Sequence, residues 1–335
     1  MLQPANNASY RPKHHLRSLF LLVLWLALLG ATAYNRQSII DWWRLRDYHA
    51  PAAIAQLASQ DTMTAYGRKI FYVNNATLDS KTAFSQQCPN NGGEQTIVLG
   101  CYHSNQAGIF LLGVTDPRLD GVEQVTAAHE MLHGAYDRLS GSQKQKVDVM
   151  LQDYYDHGLH DPRILATMAL YKKTEPKDVV NEMHSVFGTE IAKLPAGLEQ
   201  YYQRYFTNRS QIAAYGAQYE AEFTSRQTMV SQDDAQLAAQ KQQIDNTQAD
   251  LKAKQAVIAA RQSSLTALRA NGDISGYNAG VPVYNALIDD YNAEVAQIRA
   301  LTGQYNALVA SRNSVALEED QLIKELTSNN ATIQQ

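Results

Sequence analysis

A spacing of seven residues runs without interruption through Phe223, Val230, Leu237, Ile244, Leu251, Ile258 and Leu265. A period of seven keeps one apolar stripe turned toward a partner along a helix, so this segment must be a long helix packed lengthwise on another. An ordinary globular helix drifts off that period and carries a wider apolar face. The series stops at "RANGDISGYNAGVP", where Gly272, Gly276, Gly280 and Pro282 read as breakers. A second series then runs through Tyr284, Tyr291, Ile298 and Tyr305, with Leu301, Leu308, Val315 and Leu322 as a companion stripe. Two heptad arms around a breaker predict an antiparallel coiled-coil hairpin over residues 211–335. Each arm of roughly 50 residues would reach about 75 Å. Glu294 and Glu319 stand in the seams where leucine is expected. The hairpin is therefore expected to gain stability from self-association or from a protein partner laid along it. No catalytic grouping falls within it.

The opposite end of the chain is apolar. Arg11, Lys13 and Arg17 precede "SLFLLVLWLALLGATAY", and Arg36 is the next charge. The uncharged run from Leu19 to Tyr34 is short against the roughly 17–25 residues of a membrane span. Two export readings fit residues 1–36, a basic cytoplasmic stub with a signal anchor or a signal peptide cleaved after the small-x-small "ATA", and the alternative is a buried soluble helix. Tyr34, Trp42 and Trp43 suit an interface beside an anchor. Either export reading sends the rest of the chain out of the cytoplasm, as a single-pass membrane protein or a secreted one. Over 335 residues the net charge is -4. That balance argues against nucleic acid as a partner, since a binder needs a basic face.

Between the two ends the chain reads as an α+β domain, residues 37–210. Residues 37–69 predict one or two helices broken at Pro51, and "RKIFYVNNATL", "TIVLGCYH" and "GIFLLGVTD" are strand-like. Helices are expected at about 141–157, 161–172, 176–191 and 197–208. Strands before a run of helices imply a small antiparallel or mixed sheet. Cys88 and Cys101 are too few for a disulfide scaffold. One bridge across their Gly/Asn-rich turn is the first choice in an exported chain, and two separate buried cysteines the alternative.

The chemistry concentrates in "HEMLH", His129 to His133, within a stretch whose apolar positions recur at three and four. On a helix, side chains four apart lie on one face, so both imidazoles can reach one ion. Zinc would acidify a bound water there, and Glu130 would take its proton. The alternative is a half-buried helix that carries two histidines as polar positions. The preceding "GIFLLGV" could offer a substrate an extended edge. Tyr136 reads as core or as an electrophile, and Asp137 could orient His133.

A zinc site of this kind needs a third protein ligand. No later histidine stands at the distance a metzincin requires, whereas "VVNEMHSVFGTEI" carries Glu182 and Glu190. Eight residues place these about 80° apart around a helix, so only one can be a direct ligand. Here the chain resembles the gluzincins. "NEMHS" is similar to the "NExxS" helix of the thermolysin-like group, with Asn181, Glu182 and Ser185 at matching places and Val186 where that group has aspartate. The resemblance spans about residues 95–208, and its one highly specific element is HExxH. It extends to small bacterial membrane-attached zinc peptidases. What it implies is a zincin-like fold and zinc on His129, His133 and Glu182, with Glu130 catalytic. His184 is the candidate for stabilising the oxyanion. The expected function is thus a zinc endopeptidase acting on peptides or proteins outside the cytoplasm. The alternative is a non-catalytic envelope scaffold in which the hairpin is the working part.

Overall fold

A computed structural model describes residues 13–89 and 98–327. The described chain is mostly helical, with one small mixed sheet and two long C-terminal helices. It divides into two compact units: residues up to Gly113 together with Glu123–Ala214, and Val114–Val122 together with Tyr215 onward.

The first unit opens with α1, Lys13–Tyr34, whose 22 residues give about 33 Å of rise. Its window Arg17–Tyr34 is long and apolar enough to cross a membrane, and none of that window is buried. The helix starts several residues ahead of the uncharged run, which answers the shortness seen in the sequence. After α2 (Arg36–Leu45) and α3 (Ala52–Gln60) comes α4, Ala65–Val73. "RKIFYVNN" is thus largely helix where its composition predicts strand. Thr64 caps the start by accepting from Gly67 N, and Gly67, Ile70, Phe71 and Val73 are buried on one face. A cap plus a buried face at helical spacing outweighs the β preference of Ile, Phe, Tyr and Val.

Strand β1 (Thr77–Asp79), helix α5 (Lys81–Gln87), and strands β2 (Gly100–His103) and β3 (Gly108–Leu112) follow. The strand order is β1-β3-β2: β3 pairs in parallel with β1 and antiparallel with β2. The "GIFLL" segment is therefore the central strand, paired on both sides, and cannot serve as a substrate edge. Among the described residues the outer strand beside α6 (Val122–Asp137) is β2. Cys88 and Cys101 are bridged, with Cα atoms 6.0 Å apart, which ties the end of α5 to β2. Closing a loop of 13 residues removes about 3 kcal/mol of chain entropy from the unfolded state.

One apolar core joins the sheet to α6. Ile109, Leu111 and Leu112 of β3 are buried with Ile70, Phe71 and Phe84 and with Ala127, Ala128, Met131, Leu132 and Ala135 of α6. Helices α7 (Gly141–His157), α8 (Pro162–Thr174), α9 (Val179–Glu190) and α10 (Ala196–Tyr202) complete the unit. Helix α9 is buried on nearly every face, from Glu182 through Thr189.

The second unit contains most of α11 (Arg209–Ala270) and α12 (Ile274–Leu326). They reverse at Asn271–Asp273, where Gly272 takes φ +78 and Asp273 caps Gly276 N. The break is shorter than its composition suggests: Gly276, Gly280 and Pro282 all lie inside α12. Ion pairs run in opposite directions along the arms, joining Arg226 to Glu318, Asp234 to Arg312, and Lys254 to Asp290 and Glu294. The arms are therefore antiparallel. The seam acids are explained as well: Glu294 meets Lys254 at 2.9 Å, and Glu319 accepts from Gln227 at 3.1 Å. Segment 114–122 joins this unit where Thr115 donates to Glu325 at 3.0 Å.

Candidate metal centre

Helix α6 carries His129 and His133 one turn apart, and α9 brings Glu182 to them. The two Nε2 atoms are 3.0 Å apart. His129 Nε2 lies 3.6 Å from Glu182 Oε2, and His133 Nε2 lies 3.5 Å from Glu182 Oε1. His133 and Glu182 are buried and His129 is partly exposed, so the group opens on one side. These three residues can together hold a metal ion.

Burial alone would raise the Glu182 carboxyl, but His133, His129 and a hydrogen bond from Tyr171 hold it below the usual range. The acid therefore stays ionised. Tyr171, on α8, is a site residue that no spacing in the sequence discloses. Two close contacts set the approach of the surrounding elements. A Cβ at Gly188 would lie 2.5 Å from Leu132 Cδ1 and 2.7 Å from the Tyr202 ring, so only glycine lets α9 cross α6 this closely. Arg209 then holds the far end of α9: its guanidinium donates to Ile191 O and Ala192 O and pairs with Glu199.

Glu130, beside the first histidine on α6, is 6% exposed and lies against β2. A Cβ at Gly100 of β2 would lie 2.7 Å from Glu130 Cγ and 2.8 Å from its Oε1. The glycine is what allows the strand to pass over this carboxylate.

The remaining sequence candidates are distributed differently. Glu190 forms an ion pair with Arg163 at 2.5 Å and stands apart from the histidines, which leaves the third position to Glu182. Asp137 accepts from Tyr102 at 2.9 Å, so its carboxylate is engaged with β2 rather than orienting His133. Tyr136 donates to Asp148 at 2.9 Å, and Lys144 lies over its ring, a structural engagement. His184 is 0% exposed and shares a 2.8 Å hydrogen bond with Tyr201 among the rings of Tyr136, Tyr202 and Tyr205. Burial, with His133 and His129 nearby, lowers it to about 3. It is a neutral packing imidazole enclosed by tyrosines, not a donor facing an open cleft. Ser185 is likewise fully buried.

No protein family, curated protein or solved structure matches this chain in comparison.

Proposed function

We propose that the chain is a zinc-dependent endopeptidase of the gluzincin type, acting on peptide or protein substrates outside the cytoplasm and held at the membrane by α1. The observation that carries this reading is the separation of the three donor atoms. Ligands about 2.0–2.1 Å from a tetrahedral zinc stand about 3.3 Å apart, and the separations here are 3.0, 3.5 and 3.6 Å. Two histidines and one carboxylate also leave the fourth position open, as a catalytic site requires.

A zinc ion bound there would supply a Lewis acid that acidifies water and polarises a peptide carbonyl. Glu130, next to the first ligand, takes the proton from the attacking water and delivers it to the departing amine. Tyr171 keeps the Glu182 carboxylate aimed at the histidines. An extended substrate would lie along β2, whose Gly100 borders Glu130. Export is supported by the bridge between Cys88 and Cys101, and orientation by the basic residues ahead of the apolar run.

A metal-free reading has its own support. At 3.0 Å, one imidazole Nε2–H can donate to the other ring's Nε2 beside Glu182 without an ion. The chain would then be an envelope scaffold whose hairpin binds a partner. Metal analysis of the purified full-length protein separates the two. The peptidase reading expects close to one zinc per chain, lost in His129→Ala and retained in an inactive Glu130→Gln. A folded wild-type protein that stays metal-free in excess zinc sinks it.

A further inference from the structure

Helix α2 has two unlike faces. Gln37, Asp41 and Arg44 lie on the inner one. Asp41 is buried and pairs with Arg138 through both oxygens, at 2.8 and 3.0 Å, with Lys69 at 3.2 Å and Gln37 at 2.9 Å. Burial would raise its carboxyl, but Arg138, Gln37 and Lys69 keep it below the usual range and ionised. Arg44 donates to Val73 O at 3.2 Å and to Gln106 O at 2.6 Å. These bonds lock α2 onto α4 and onto the end of the histidine-bearing helix. The opposite face carries Ile39, Trp42 and Trp43, at helical spacing and exposed by 48%, 64% and 63%. Arg46 lies over the Trp43 ring at 4.2 Å.

Tryptophan, with an apolar ring and one N–H, favours the boundary between acyl chains and head groups. The position of this face along the chain matches that boundary. Helices α1 and α2 meet end to end at Asn35, whose N bonds Ala31 O as the last bond of α1 and whose O accepts from Ile39 N as the first of α2, each at 3.0 Å. Twenty-five residues separate Arg17 from Trp42, at most about 38 Å at helical rise across the two helices, which falls inside the roughly 40–45 Å of a bilayer with its interfacial layers. We infer that the Ile39–Trp42–Trp43 face of α2 seats in the head-group layer of the membrane as a rigid collar between the span and the metal-binding domain. The inference rests on α1 being a membrane anchor. It is independent of whether the metal centre is catalytic.

The three tryptophans make both parts separately testable, since the third, Trp25, lies in α1. The full-length protein is reconstituted in phosphatidylcholine–phosphatidylglycerol vesicles containing lipids brominated on the acyl chain either near the carbonyl or near the methyl end. A Trp42→Phe/Trp43→Phe variant reports Trp25, which should be quenched most by bromine near the methyl end. A Trp25→Phe variant reports the collar, which should be quenched at least twofold more by bromine near the carbonyl and shielded from aqueous acrylamide. Failure of lipid to quench Trp25 removes the anchor, and the collar with it. Quenched Trp25 beside acrylamide-accessible Trp42 and Trp43 overturns the collar alone. Shielding of Trp42 and Trp43 from both quenchers also overturns it, and assigns the face to a protein partner.

Discussion

Gly100 and Glu130 are so close that a methyl group on the first would lie 2.8 Å from a carboxylate oxygen of the second. Strand β2 and helix α6 thus meet at Thr126 and at the residue proposed to move protons, and the contact leaves no room for a side chain. Gly100→Ala should displace Glu130 and destabilise the protein by about 1–3 kcal/mol, the usual cost of overpacking. Zinc stoichiometry should be unchanged, because Glu130 is not one of the three donor residues. Peptidase turnover should fall roughly a hundredfold, as a misplaced catalytic group costs. An alanine variant as stable and as active as wild type would contradict the contact.

The ligand set makes graded demands on metal affinity. Glu182→Ala should weaken zinc binding more than about a hundredfold, since it removes a direct donor. Tyr171→Phe should cost roughly 10–100-fold, as loss of a ligand's supporting hydrogen bond does. Glu190→Ala should stay near wild type, its carboxylate being committed to Arg163. Calorimetric titration with zinc ranks the three, and a Glu190 effect as large as that of Glu182 would break the assignment.

Asp61 is buried, and neither carboxylate oxygen has a hydrogen-bond partner among the described residues. Burial pushes it well above the ordinary carboxylate range. The folded state therefore keeps a proton that the unfolded chain releases above about pH 4. Stability must fall as pH rises from that value toward the folded pKa. Asp61→Asn removes this slope. It should be more stable than wild type near neutral pH, by on the order of 1–3 kcal/mol, and the gain should vanish near pH 4. Parallel melting curves across pH would instead mean that the carboxyl finds a partner.

In the hairpin, Lys254 holds Asp290 at 2.7 Å and Glu294 at 2.9 Å. Lys254→Glu brings three acids together and should lower the melting midpoint of the arms by several degrees. Combining it with Glu294→Lys should recover part of the loss. High salt should narrow the gap between wild type and Lys254→Glu, because the site is partly solvated. A parallel or register-shifted arrangement predicts no rescue from the second change.

Several features were legible because they depend on local spacing. Seven-residue periodicity in α11 and α12 announces two long partnered helices whatever surrounds them. The HExxH interval puts His129 and His133 on one face by helix geometry alone, and the basic-then-apolar start marks α1. What local spacing misled was the strand reading of "RKIFYVNN", since composition does not register the Thr64 cap or the buried face of α4. It also placed "GIFLL" at an edge, since sheet order follows from which strands pair and not from their sequence. Glu182 was legible by resemblance, but the choice over Glu190 became physical only once Arg163 was seen to occupy the latter.

The sequence by itself determined the helix periods, the histidine pair, the apolar first helix and the cysteines available for bridging, because each is a property of neighbours within a few turns of chain. Only the tertiary structure decided that Tyr171 supports Glu182, that Gly100 and Gly188 permit close crossings, that His184 is enclosed by tyrosines, and that Asp41 grips Arg138 from 97 residues away. Those are contacts between elements. Packing chooses them from many pairings that the same local pattern allows, and burial then turns each into a chemical role.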